Sequence, residues 1–157
     1  ARMAARGHGG RELLLEPGRS MVGNAGVLVT EVLYLKPGED KQFCIVDAAM
    51  NDLVRPAMYE AWMDIVPCAQ RNEPAQAWDV VGPVCESGDW LGRDRSLSVA
   101  PGDRLAVLSA GAYGMTMASN YNTRARAAEV MVTDGQARLI RQRENVAQLF
   151  ENETLLP

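Results

Sequence analysis

Lysine is nearly missing from this sequence: only Lys36 and Lys41 occur in 157 residues. Both flank the turn signature Pro37-Gly38-Glu39-Asp40, which predicts an exposed hairpin end for each. Histidine is rarer still, with His8 alone. Any mechanism that needs a buried lysine or a histidine base must draw it from another chain or another segment. Cysteine is sparse and odd in number (Cys44, Cys68 and Cys85), which argues against a disulfide framework and makes a reducing cytoplasm the simplest compartment. With one histidine and no C-x-x-C pair, zinc is not expected. No apolar run approaches the roughly 20 residues that span a bilayer, so no membrane association is expected. Arg2, Arg6, His8 and Arg11 lie among glycines and alanines, without the apolar stretch of a secretory signal. The arginines are scattered and the net charge is −4, which leaves no electrostatic footprint for nucleic acid. A phosphate-bearing small molecule stays compatible, because one anion site does not need a basic protein.

What is present suits one domain with a real core: 47% hydrophobic and 23% charged residues. Residues 1–10 read as a loop or frayed end. Glu12–Glu16 is a short apolar run closed by Pro17-Gly18, suited to a buried strand. From Ala25 to Lys36 apolar residues recur at period two on both faces, which predicts a long strand buried on both sides. Gln42–Asp47 is its antiparallel partner. Asp52–Trp62 reads as a short helix, with Asp52 as N-cap and Pro56 in the first turn. Further strands are expected at Ile65–Cys68, Trp78–Val84 and Arg104–Ser109. Ala128–Val132 and Ala137–Arg141 form a hairpin through Asp134-Gly135. Arg143–Glu153 reads as a closing helix with Val146, Leu149 and Phe150 on one face. The pattern predicts an all-β barrel or sandwich with a few short helices.

Four clusters have the composition of chemical sites. Glu16-Pro17-Gly18-Arg19-Ser20 puts exposed backbone N–H groups beside a forked donor suited to phosphate or carboxylate. Its plainer reading is an ordinary turn. Asp52–Tyr59 sets Arg55 and Tyr59 four apart, able to grip a carboxylate, or equally a surface arginine packed on a ring. In Gly82–Asp89, Cys85 is a candidate proton donor or nucleophile and Glu86 a candidate ammonium ligand. A buried structural cysteine is the plainer alternative; Cys44 and Cys68, inside apolar strand patterns, read as structural. Ser109–Gly114, followed by Ser119-Asn120-Tyr121-Asn122, surrounds Tyr113 with small residues that let a ligand approach, or forms a tight turn with an aromatic plug.

The four occur together and in order, and as a set they resemble the carboxyl half of diaminopimelate decarboxylases, within the alanine-racemase-like group of pyridoxal-phosphate enzymes. The quoted residues are EPGRS, DAAMNDLVRPAMY, GPVCESGD, SAGAYG and SNYN. The resemblance runs from about Glu12 onward; Ala125 departs from it, standing where proline is expected. It implies an amino-terminal (β/α)8 barrel outside this chain, holding pyridoxal phosphate on a lysine. Residues 1–20 would be a flexible end plus a remnant of that barrel's last strand and loop, and 21–157 the β-domain with its closing helix. It further implies cofactor contacts from Glu16, Gly18, Arg19 and Tyr113. Substrate contacts would come from Arg19, Arg55, Tyr59, Glu86 and Tyr113. Cys85 would act as proton donor to the neighbouring subunit's site in a homodimer. Glu86 after Cys85 favours diaminopimelate over ornithine, arginine or carboxynorspermidine as substrate. A non-catalytic dimerisation or regulatory β-domain is the reading from another class.

Overall fold

Period-two alternation of apolar side chains gives this chain strands that bury one face, and a sheet with one buried face must curl or be covered. The computed structural model describes residues 1–156. Six strands, β1 (Leu28–Lys36), β2 (Phe43–Val46), β3 (Ile65–Pro67), β4 (Gln76–Val81), β5 (Trp90–Leu97) and β6 (Arg104–Val107), form one sheet in the order β3-β6-β1-β2-β4-β5. Every neighbouring pair is antiparallel except β2 and β4. The edge strands β3 and β5 approach each other, so the sheet curls into a nearly closed barrel. Val32, Val46, Val80, Leu91, Leu105 and Val107 fill its interior, each worth roughly 1.5–3 kcal/mol on burial. Trp78 joins them and donates its indole N–H to the Leu97 carbonyl at 3.2 Å. Cys44 is also fully buried, and that burial pushes its thiol up to about 12.

The all-β expectation holds, and so does the last hairpin. Strands β7 (Glu129–Thr133) and β8 (Gln136–Arg141) pair antiparallel. Asp134 and Gly135 have φ of 49° and 71°, the two positive values that a type I′ turn requires.

Several local expectations need correction. Glu12–Glu16 is not a strand: Leu14 and Leu15 are 80% and 76% exposed, and no strand among the described residues pairs with the segment. Near the start only a single turn, α1 (Arg2–Ala5), forms, with nothing buried. Strand β1 buries one face rather than two. Thr30 and Val32 point inward, while Val29, Leu33 and Tyr34 are exposed, because nothing described here covers the outside of the barrel. The expected helix over Asp52–Trp62 shrinks to α3 (Arg55–Tyr59), with Pro56 in its first turn as anticipated. Glu60 ends it at φ 52°. Asp52 is not its N-cap, since its carboxylate instead accepts from the Ala49 N–H. Cys68 is exposed rather than structural, lying just beyond the end of β3. The closing helix is only a 3-10 turn at Val146–Leu149, held by reciprocal capping between Asn145 and Gln148. Val146 and Phe150 remain exposed there, so no buried stripe stabilises further turns.

Candidate active site

Topology gathers the four clusters at one rim of the barrel. Strand β1 begins there, β2, β4 and β6 end there, and β5 starts there. The short helix α2 (Arg19–Val22) and α3 occupy connections at this rim. The Pro37–Asp40 turn, with both lysines, lies at the opposite end of β1 and β2. Lys41 is engaged there by Asp79 at 2.8 Å.

The first group is built from three segments. The Tyr113 hydroxyl lies so close to Gly18 that a Cβ there would come within 2.6 Å of it, and any larger residue would have to displace the ring. Arg19 donates from one terminal nitrogen to the Ser109 carbonyl at 3.3 Å. The Arg55 guanidinium faces two rings, 5.3 Å from the centre of Tyr59 and 5.6 Å from that of Tyr113. Tyr113 itself sits at φ 58° and Ser109 at φ 61°. A bulky residue in the left-handed region costs roughly 1–2 kcal/mol and persists only where its surroundings over-determine it. The Nε atoms of Arg19 and Arg55 are buried, and neither has an acceptor among the described residues. Arg95 Nε, against the Trp62 ring, is a third such atom. At the rim the two guanidiniums have the forked donor chemistry that suits carboxylate or phosphate oxygens.

The second group is the loop from Gly82 to Asp89. Asp89 is 3% exposed and fixes the loop with both oxygens, accepting from Met50 N–H at 2.7 Å and Val84 N–H at 2.8 Å. Gly82 is required by the same contact: a Cβ would meet an Asp89 oxygen at 2.4 Å and the Ala49 Cα at 2.7 Å. Held this way, the tip presents Cys85 and Glu86 to solvent. Glu86 accepts from the Gly88 N–H at 3.1 Å and from the Tyr121 hydroxyl at 3.3 Å. The hydrogen bond to Glu86 holds the Tyr121 phenol above its ordinary range. Among the described residues, no hydrogen bond or ion pair links this group to Arg55, Tyr59 or Tyr113.

A family model described as pyridoxal-dependent decarboxylase, C-terminal sheet domain, matches residues 20–111. The chain belongs to that family. Diaminopimelate decarboxylase of Vibrio cholerae is 57% identical over 150 residues, covering 96% of this chain and 36% of the relative. The Pseudomonas aeruginosa enzyme of the same name is 59% identical, covering 94% and 36%. A crystal structure of diaminopimelate decarboxylase from Helicobacter pylori complexed with L-lysine superposes with a TM-score of 0.84 at 41% identity, covering 95% of this chain and 37% of that one. The chain therefore spans about a third of the length of the curated relatives it matches.

In this chain Gly18, Arg19, Arg55, Tyr59 and Tyr113 come together, and Cys85 and Glu86 form a separate pair. Glu16 is exposed and joins neither group. Two participants carried too little sequence signal to be singled out. Asp89 reads as a loop carboxylate until its burial is known. Tyr121 lies in a recognised cluster, but its approach to Glu86 depends on the fold of a distant segment.

Proposed function

We propose that this chain is the carboxyl-terminal part of a diaminopimelate decarboxylase, a cytoplasmic homodimer that converts meso-2,6-diaminopimelate to L-lysine. The observation that carries the reading is the gathering of guanidinium and phenol donors at one rim, with Arg55 facing both Tyr59 and Tyr113 and Arg19 anchored on Ser109. Such donors suit the anionic groups of an amino-acid substrate and its phosphate-bearing cofactor. Residues 1–20 form the junction with the amino-terminal barrel, and residues from 21 onward form the sheet domain.

Pyridoxal phosphate, when bound, supplies the electron sink that lets carbon dioxide depart. Gly18, Arg19 and Tyr113 would hold it. Glu16, at the start of the same turn, is assigned there with them. Arg55 and Tyr59, with Arg19, orient the substrate carboxylates. Glu86 receives an ammonium group at the far end of the substrate. Cys85 returns a proton to the carbon that lost its carboxylate. Its exposure and its separation from the arginine cluster support delivery into the site of a neighbouring subunit. Specificity follows from the paired groups: a substrate without the second amino-acid head leaves charged donors and acceptors unsatisfied.

Neither lysine of this chain lies at the candidate rim, so the cofactor lysine belongs to the barrel half. With one equivalent of pyridoxal phosphate, borohydride is expected to trap on Lys36 and Lys41 only the slow background labelling of exposed amines. A selective, stoichiometric adduct on either would overturn the assignment. Subunit sharing is tested by mixing two inactive forms of the complete protein, one carrying Cys85→Ala and one lacking the cofactor lysine. Mixed dimers recover activity if sites are shared, and stay inactive if each subunit is self-contained.

A further inference from the structure

Glu86 is held by two neutral donors, the Gly88 N–H on one oxygen and the Tyr121 hydroxyl on the other. No guanidinium or ammonium forms an ion pair with it among the described residues, unlike Asp79, Asp103 and Glu144. A carboxylate oriented by neutral groups keeps its full charge for an outside cation while losing the rotamer freedom of an exposed glutamate.

The segment that delivers Tyr121 is itself firmly built. Asn51, buried to 2% exposure, exchanges hydrogen bonds with Ser119 (2.9 and 3.3 Å) and accepts from Arg124 at 2.8 Å. Asn120 donates to Glu144 at 2.7 Å. Asn122 and Thr123 are kept at φ 61° and 56°, a strained state for a β-branched residue. Ser119, Asn120 and Arg124 are all used to hold the segment. The hydroxyl of Tyr121 is turned instead toward Glu86.

We propose that Tyr121 is a positioning residue, whose hydroxyl fixes the Glu86 carboxylate in the orientation that receives the substrate's ammonium group. The inference rests on the reading of Glu86 as an ammonium ligand, and the test separates the two. In the complete enzyme, KM and kcat for meso-diaminopimelate are measured for Tyr121→Phe, Glu86→Gln and the double variant. Tyr121→Phe raises KM about tenfold, the effect of losing one hydrogen bond to a charged group, with kcat largely retained. Glu86→Gln raises KM at least as much, and adding Tyr121→Phe to it changes nothing further, because both act through one carboxylate.

A raised KM in Glu86→Gln with an unaltered one in Tyr121→Phe sinks the role of Tyr121 and leaves that of Glu86 standing. An unaltered KM in Glu86→Gln removes the reading of Glu86 itself, and with it this inference. Additive effects in the double variant also overturn it, since Tyr121 would then act on something else. Phenol titration of the present chain gives a check independent of catalysis. One of its four tyrosines ionises at lower pH after Glu86→Gln; an unchanged titration contradicts the contact.

Discussion

Asp89→Asn tests how the loop bearing Cys85 and Glu86 is held. Each Asp89 oxygen accepts one backbone N–H, from Met50 at 2.7 Å and Val84 at 2.8 Å, and the residue is only 3% exposed. Asparagine keeps the shape and one acceptor, but turns an NH2 toward the other N–H. One charge-assisted bond is lost and a partly buried donor is left unmet, at a cost of about 2–4 kcal/mol. For a chain of this size that lowers Tm by about 4–16 °C. Thermal and urea unfolding of the two forms measure it directly, and the freed loop should also raise the alkylation rate of Cys85. A variant within about 0.5 kcal/mol of the parent, the range of ordinary surface changes, would refute the view that Asp89 organises this loop.

Cys85→Ala in the complete enzyme should lower kcat by about 10²–10⁴, the usual worth of a positioned acid, with KM little changed; loss in KM alone would contradict a proton-donor role. In the folded chain, Cys68 and Cys85 should react with a thiol reagent while Cys44, buried with its thiol pushed up to about 12, stays silent until denaturant is added. Glu144 is held down to about 2 by the Arg126 guanidinium, below its ordinary 4.5. Its folded value is the depressed one, so its contribution is full above the ordinary value and fades as pH falls toward 2. Glu144→Gln should therefore flatten the acid limb of the stability curve in that window, and an unchanged limb would contradict the pairing.

Much of the sheet is legible in the sequence where local and global signals agree. The β1–β2 hairpin and the Asp134-Gly135 hairpin announce themselves through alternation and turn chemistry. Strand β5 does not. Its run Trp90-Leu91-Gly92-Arg93-Asp94-Arg95-Ser96-Leu97 looks like a charged loop, because Arg95 faces inward beneath the Trp62 ring and Asp94 breaks the alternation at φ 52°. The helices fall short of their spacing for two different reasons. Over 52–62 a stripe is buried at Leu53 and Pro56, but the proline confines the helix start and Glu60 ends it at φ 52°. Over 143–153 Val146 and Phe150 stay exposed, so only a single turn survives.

The site divides in the same way. Arg55 and Tyr59 share a face by spacing alone. The approach of Gly18 to Tyr113 and of Tyr121 to Glu86 joins residues far apart in sequence, which no local pattern encodes. Their residue types became meaningful as a set only through the family resemblance.

The most direct measurement is carbon dioxide release by the complete, cofactor-loaded protein, given meso-diaminopimelate, ornithine and arginine in parallel. Release from meso-diaminopimelate alone is the predicted result. Release from ornithine or arginine instead would contradict the roles given to Arg19, Arg55, Tyr59 and Glu86, and no release from any substrate would contradict the assignment itself.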